Sequence, residues 1–175
     1  MDNAKVNFVR KMVEADLKLV LSWRNHPDVR KYMYTQHEIT LEEHTAWFKN
    51  ASCDNSRHLL IFEQKNTPLG FINIKEINES SVADWGFYLS PDAPKGTGHF
   101  LGKAALNYAF KSASLHKVCG QALGYNERSI NFHQRLGFKQ EGVLRQQHFD
   151  DKAYHDIVCF GLLATEWPDY VESKL

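Results

Sequence analysis

What is scarce narrows the reading first. The 175 residues hold only three cysteines, Cys53, Cys119 and Cys159, with no CxxC pair. An odd, dispersed set fits neither a disulfide framework nor a zinc ribbon, so idle thiols in a reducing cytoplasm are expected. Neither sign of charge is in excess: Lys+Arg and Asp+Glu both total 21. Without a basic surplus to grip a phosphate backbone, no nucleic-acid partner is expected. No apolar run approaches a membrane span or a signal-peptide core, and Met1 to Lys5 lead straight into a strand-like segment. Membrane attachment and secretion are therefore not expected. Internal repeats and low-complexity tracts are missing too. Nine histidines include no HxxxH or HExxH, which predicts no catalytic metal.

What is present suffices for one core. At 43% apolar and 13% aromatic residues, a chain of this length can bury one sizeable core and is short for two, so a single domain over 1–175 is expected.

Punctuation and periodicity give the order of elements. Val6 to Lys11 reads as a strand, and Glu14 to Trp23 as a helix capped by Asp16, with Leu17, Val20 and Leu21 at helical spacing. Asn25-His26-Pro27 interrupts that helix with a polar loop, because proline lacks an amide donor and displaces its predecessor from helical geometry. A short helix is predicted at Val29 to Tyr34. Thr40-Leu41-Glu42-Glu43 is a capping box before a helix through His44 to Lys49. Leu59 to Glu63, Leu69 to Ile77 and Ala83 to Leu89 read as an antiparallel meander, turning at Lys65-Asn66-Thr67-Pro68 and Asn78-Glu79-Ser80-Ser81. Gly98 to Phe110 carries an apolar stripe of Leu101, Ala105, Leu106 and Ala109. A strand at Lys117 to Ala122, a helix from Glu127 to Leu136 stopped by Gly137, and strands near Gln140 to Phe149 and Tyr154 to Leu163 complete the chain.

Two segments carry chemistry. Trp85 to Leu89 followed by Lys95-Gly96-Thr97-Gly98 is a strand, a glycine loop and a helix start. Unpaired amides and the helix dipole converge there on an anion. Taken alone, this Gly-x-Gly is as consistent with a turn that merely starts a helix. The second segment is Asn126-Glu127-Arg128-Ser129-Ile130-Asn131-Phe132-His133-Gln134-Arg135-Leu136-Gly137-Phe138. It resembles the N-x-x-(A/S)-I-x-x-(Y/H)-x-x-x-G-F motif of the GNAT acetyltransferases. Trp23-Arg24-Asn25-His26-Pro27 and Glu141-Gly142-Val143-Leu144-Arg145 also resemble the ribosomal-protein branch of that superfamily.

The resemblance implies an α+β GNAT fold: a central mixed, mostly antiparallel sheet of about seven strands, splayed between strands 4 and 5 and flanked by helices. It implies acetyl-CoA as cofactor, with pantetheine in the splay against Phe87, Tyr88 and Leu89. Pyrophosphate would meet the amides of Gly96, Thr97, Gly98 and His99 with Lys95 adding charge, and Asn126, Ser129 and Phe132 would contact the other side of CoA. Ala93 departs from the family, which has Arg or Gln at that position, so a side-chain grip is lost and the amides must serve. His133 stands where the family's proton donor is usually tyrosine. It is a candidate general acid, against the alternative of a residue packing near CoA while water delivers the proton. Glu76 and Asp84 are candidate bases or, equally, solvated charges on strand edges.

Within the superfamily, Arg24 to Pro27, Met33-Tyr34, His44 and Leu69-Gly70 resemble the N-acetyltransferases of pseudaminic acid biosynthesis. That resemblance implies a UDP-linked amino-dideoxy sugar as acceptor, acetylated on its 4-amino group. Arg24 would fork onto the diphosphate, His44 would add a donor, and Met33, Tyr34 and Trp47 would line an apolar wall. Ordinary structural roles for these five remain open. So do a protein N-terminal amine, a polyamine drawn to Glu38, Glu42 and Glu43, and a CoA-binding module without turnover. A homodimer is also left open.

Overall fold

Strand pairing is set by where the apolar runs fall. The computed structural model of the chain describes residues 6–78 and 80–168. Strands β1 (Asn7–Lys11), β2 (Arg57–Gln64), β3 (Thr67–Glu76), β4 (Val82–Leu89), β5 (Lys117–Leu123), β6 (Lys139–Phe149) and β7 (Tyr154–Leu163) form one sheet in the order β1-β2-β3-β4-β5-β7-β6. In β2 the run Leu59-Leu60-Ile61-Phe62 is buried throughout, as a strand covered on both faces requires. By contrast β6 is exposed along most of its length and forms an edge. Pairing is antiparallel for β1 with β2, β2 with β3, β5 with β7 and β6 with β7. β4 and β5 run parallel, through Val82 opposite Lys117, Ala83 opposite Val118 and Asp84 opposite Cys119. The pairs end there, while β4 runs on to Leu89.

Helices α1 (Leu17–Asn25), α2 (Pro27–Arg30), α3 (Leu41–Ser52), α4 (Thr97–Asn107) and α5 (Glu127–Arg135) fill the connections. The chain divides into two compact units: Met1–Lys75 with Gly86–Ala105, and Glu76–Trp85 with Leu106–Leu175. The core of the first contains Met12, Leu17, Val20, Trp23, Ala51, Leu59, Ile61 and Phe71, with Trp47, Phe48 and Tyr88 packed against it. In the second, Trp85 stacks on Phe138 at 5.2 Å and His133 on Phe160 at 4.8 Å.

Local signals explain the boundaries. Lys65 and Asn66 both take positive φ, 50° and 62°. That is the geometry of a two-residue hairpin turn whose twist matches the strands it joins. The Thr40 capping box forms, with Glu43 N donating to Thr40 Oγ1 at 3.2 Å and Thr40 N to Glu43 Oε2 at 2.7 Å. Gly137 ends α5 at φ 94°, where Phe138 N reaches back to the His133 carbonyl at 3.1 Å.

Four expectations need correction. Asp16 does not cap α1: its backbone is already helical and its carboxylate is spent elsewhere. It accepts from Arg10 Nη1 and Nη2 at 2.7 and 2.8 Å and from Val13 N at 2.9 Å. The polar loop at Asn25-His26-Pro27 narrows to His26 alone, because Pro27 has the φ a first helical position needs and starts α2 at once. The short helix accordingly lies at Pro27–Arg30 rather than Val29 to Tyr34. The last predicted helix turn, Tyr108 to Phe110, is instead part of a π-helical turn, Tyr108–Ser112. Glu79, within the expected second meander turn, lies outside the described residues, as do Met1 to Lys5.

Candidate acetyl-transfer site

In the first unit, the glycine loop is built around one carbonyl. Thr97 is buried and sends both its amide and its hydroxyl to the Pro94 carbonyl, at 3.1 and 2.7 Å. His99 N donates to the Gly96 carbonyl at 3.1 Å. Thr97 and His99 therefore hold the turn and have no amide left for an anion, which corrects half of the expected set. The Gly96 and Gly98 amides find no acceptor among the described residues. Gly96 sits at φ 93° with open space where a Cβ would be, so a phosphate can approach the backbone closely. Lys95 is exposed beside it. These features fit a pyrophosphate held by two amides and a flanking cation.

At the end of β4, Leu89 packs beside Gly70, where a Cβ would collide with Leu101. This accounts for the glycine in Leu69-Gly70. Phe87 is half-buried. Tyr88 packs on Phe71 at 5.2 Å. Burial pushes its phenol well above the ordinary value against the pull of the Arg24 guanidinium.

Among the described residues, the same unit holds buried polar atoms without protein partners: Arg24 Nη1, beside Tyr88 and His44, His44 Nε2, and Asn73 Oδ1 on β3. Arg24 is 9% exposed, and its Nη2 donates to the Thr35 carbonyl at 2.6 Å. No carboxylate is paired with it among the described residues. His44 is 4% exposed, stacks on Trp47 at 5.1 Å and bonds the Leu17 backbone. Burial, then the Arg24 charge, lowers its pKa below the usual histidine value. A buried charge or polar group with no partner costs several kcal/mol or about 1–3 kcal/mol respectively. Met33 is half-buried and Tyr34 exposed in the turn after α2. Asn25 fastens that loop, its amide and carbonyl meeting Ile39 O at 2.8 Å and Ile39 N at 2.9 Å. Asn25 stands in the sequence reading only within the Arg24 to Pro27 motif, and Asn73 has no part in it. The signal for Asn73 is an asparagine inside the apolar run Phe71-Ile72-Asn73-Ile74.

In the second unit, Asn126 caps α5 by accepting from Ser129 N at 3.1 Å, so its side-chain oxygen serves the helix. Ser129 in turn accepts from His133 Nδ1 at 2.8 Å. The other ring nitrogen, Nε2, accepts from Trp85 Nε1 at 3.1 Å. His133 is 1% exposed, and burial lowers its pKa. Its Nδ1–H is engaged by the Ser129 carbonyl and its Nε2 by the Trp85 indole, an arrangement that favours the packing role over that of general acid. Phe132 stacks on Trp85 at 6.2 Å.

Of the two candidate bases, Glu76 ends β3, half-buried. Asp84 lies opposite Cys119 with an exposed side, and partial desolvation raises its carboxyl above the usual value. No group of metal-binding side chains occurs among the described residues, and no described helix is long and apolar enough to cross a membrane.

A family model described as an acetyltransferase (GNAT) domain matches residues 8–139. The chain is 31% identical over 124 residues to Acetyltransferase PseH of Campylobacter jejuni, covering 70% of this chain and 76% of that protein. It is 23% identical to spermidine N(1)-acetyltransferase of Vibrio cholerae, over 91% of this chain and 94% of that one. The crystal structure of spermidine N-acetyltransferase from Vibrio cholerae in complex with CoA and spermine superposes with a TM-score of 0.85 at 21% identity, covering 92% and 97% of the two chains. The chain belongs to the GNAT acetyltransferases, enzymes that take acetyl-CoA as their donor.

Proposed function

We propose that this chain acetylates the amino group of a nucleotide-linked amino sugar, the 4-amino group of a UDP-linked amino-dideoxy sugar, in the cytoplasm. The observation that carries this reading is the buried Arg24 guanidinium, with one nitrogen unpartnered and no carboxylate beside it. A polyamine is a polycation at neutral pH. Two like charges 4 Å apart repel by about 4 kcal/mol at an effective dielectric of ~20, so an unneutralised Arg24 disfavours it. A phosphoryl or carbonyl oxygen would instead satisfy Nη1. The neutral His44, its Nδ1–H held by the Leu17 backbone, would accept from a sugar hydroxyl at Nε2, with Trp47, Met33 and Tyr34 as the apolar wall. The 31% identity to a PseH acetyltransferase supports the same choice.

Acetyl-CoA supplies an activated acetyl carbonyl as its thioester. The amides of Gly96 and Gly98 with Lys95 would hold its pyrophosphate, and the backbone of Phe87 to Leu89 would orient the pantetheine arm. The family motif carries Asn126, Ser129 and Phe132 of α5 over as further cofactor contacts. Asp84, with its raised carboxyl, is better matched than an ordinary aspartate to take the proton the amine loses. Its companion candidate Glu76 is the second choice. Water, rather than His133, would return a proton to the departing thiolate.

A polyamine acceptor is the rival reading, favoured by the near full-length likeness to a spermidine acetyltransferase. Thiol release from acetyl-CoA, measured with a UDP-4-amino sugar, spermidine and an alanine-terminated peptide, separates them. Release with the sugar alone is expected. Release only with spermidine or only with the peptide overturns the proposal, and CoA binding without release from any acceptor points to a binding module.

A further inference from the structure

The last two residues of α1 take hold of one exposed loop. Arg24 Nη2 donates to the Thr35 carbonyl at 2.6 Å. Asn25 Nδ2 donates to the Ile39 carbonyl at 2.8 Å, and Asn25 Oδ1 accepts from Ile39 N at 2.9 Å. An asparagine side chain carries amide donors and a carbonyl acceptor together, so it pairs with both backbone groups of one residue as a neighbouring strand would. Neither leucine nor aspartate, of similar size, can do both. Thr35, Gln36, His37 and Glu38 are exposed, and Ile39 is half-buried. The ion pairs of this stretch, His37 with Glu43 at 3.3 Å and Arg30 with Glu38 at 3.7 Å, lie at the surface and contribute little. A loop that buries so little apolar surface adds little to the core, yet two adjacent side chains are committed to holding it.

What the loop holds in return is Arg24. The guanidinium is 9% exposed, its Nη2 is tied to Thr35, and its Nη1 has no protein partner among the described residues. Because a guanidinium is a rigid planar fork, the place of the Thr35 carbonyl sets the direction in which Nη1 points. The turn after α2 fixes one end of the loop, with Tyr32 N donating to the Val29 carbonyl at 3.1 Å and Met33 N to the Arg30 carbonyl at 3.0 Å. Asn25 fixes the other end at Ile39. We infer that Asn25 is a positioning residue for the acceptor: by clamping Ile39 it keeps the Thr35 carbonyl where it turns Arg24 Nη1 toward an acceptor oxygen. The inference rests on the amino-sugar reading above, and every residue in it belongs to the first compact unit.

The test is a double-mutant cycle of Asn25→Ala with Arg24→Met, read by acceptor KM and kcat with the UDP-4-amino sugar, by acetyl-CoA affinity from calorimetry and by thermal melting. Outright loss of a hydrogen bond to a charged group raises KM by about 10- to 150-fold. A loosened loop forfeits part of that, so Asn25→Ala should raise the sugar KM by about three- to tenfold. Uniform binding is what is lost, so kcat and CoA affinity should stay within about twofold. In the Arg24→Met background the same substitution should change KM by less than about twofold, because the group it positions is gone. The melting temperature should fall in both backgrounds. An unchanged sugar KM in Asn25→Ala overturns the inference and leaves the amino-sugar reading standing. An equal KM rise in both backgrounds also overturns it, since Asn25 would then act on something other than Arg24. Asn25→Ser keeps one short polar arm and is read in the same way should the alanine variant not fold. Wild-type protein that binds CoA and acetylates only spermidine overturns the amino-sugar reading itself, and the inference with it.

Discussion

The indole N–H of Trp85 donates to Nε2 of His133 at 3.1 Å, and this bond decides what the histidine can do. With Nδ1 donating to Ser129 O at 2.8 Å, the tautomer is fixed and both nitrogens are engaged. His133→Phe should therefore cost stability rather than chemistry. It strands the buried Trp85 donor, at about 1–3 kcal/mol, and should lower the melting temperature. Thiol release per folded molecule should stay within about threefold, whereas removing a working general acid costs about 10²–10⁴. A loss on that larger scale with intact folding would restore His133 as the proton donor.

The pyrophosphate loop should depend on its backbone more than on its charge. Gly96→Val meets two penalties, a φ of 93° that valine rarely adopts and a side chain where the phosphate would approach. Gly98→Val meets the second. Lys95→Ala removes only an exposed charge, worth up to about 1 kcal/mol. Calorimetric titration with acetyl-CoA should give the larger losses for the two valine variants. Equal losses for all three would mean that Lys95 carries the grip.

The order of elements was legible because its signals are local: the Thr40 capping box, the Lys65-Asn66 turn, the Gly137 stop and the apolar stripe on α4 each depend on a few adjacent residues. So was the Gly96-x-Gly98 turn at the start of α4. Asp16 misled because a carboxylate suits both a helix cap and a guanidinium, and Arg10, six residues away and already engaged with Glu63 at 2.6 Å, won it. His133 was legible only in part, for a similar reason. Its motif position was right, but its environment is made by Trp85 and Phe160, 48 and 27 positions away, and no spacing rule encodes that pocket. Arg24 and His44 could be named from sequence. That they are buried with atoms unpaired is a tertiary fact.

Acid should destabilise this protein before it titrates most carboxylates. Burial lowers the pKa of both His44 and His133 in the folded chain, while in the unfolded chain each titrates near ~6.5. As pH falls through that value the unfolded state binds protons that the folded state refuses, so unfolding gains free energy. Their contribution is fully present above pH ~6.5 and is lost progressively down to the lowered folded values. Thermal melts between pH 7.5 and about 5 should show a falling midpoint, with a shallower slope in His133→Phe. A slope unchanged by that substitution would mean His133 is not buried neutral.

Arg24 offers the sharpest separation of stability from function. A buried cation without a carboxylate partner is a burden on the folded state, and replacing such charges by apolar residues of similar volume is often neutral or stabilising. Arg24→Met should therefore keep or raise the melting temperature, losing only the bond to the Thr35 carbonyl. The acceptor should respond in the opposite direction. A hydrogen bond to a charged group contributes about 1.5–3 kcal/mol, so the KM for the UDP-amino sugar should rise by about 10- to 150-fold. CoA affinity should not change, because no contact to the glycine loop is lost. If Arg24→Met instead melts early and keeps its sugar KM, the guanidinium is structural and the unpaired nitrogen marks no ligand.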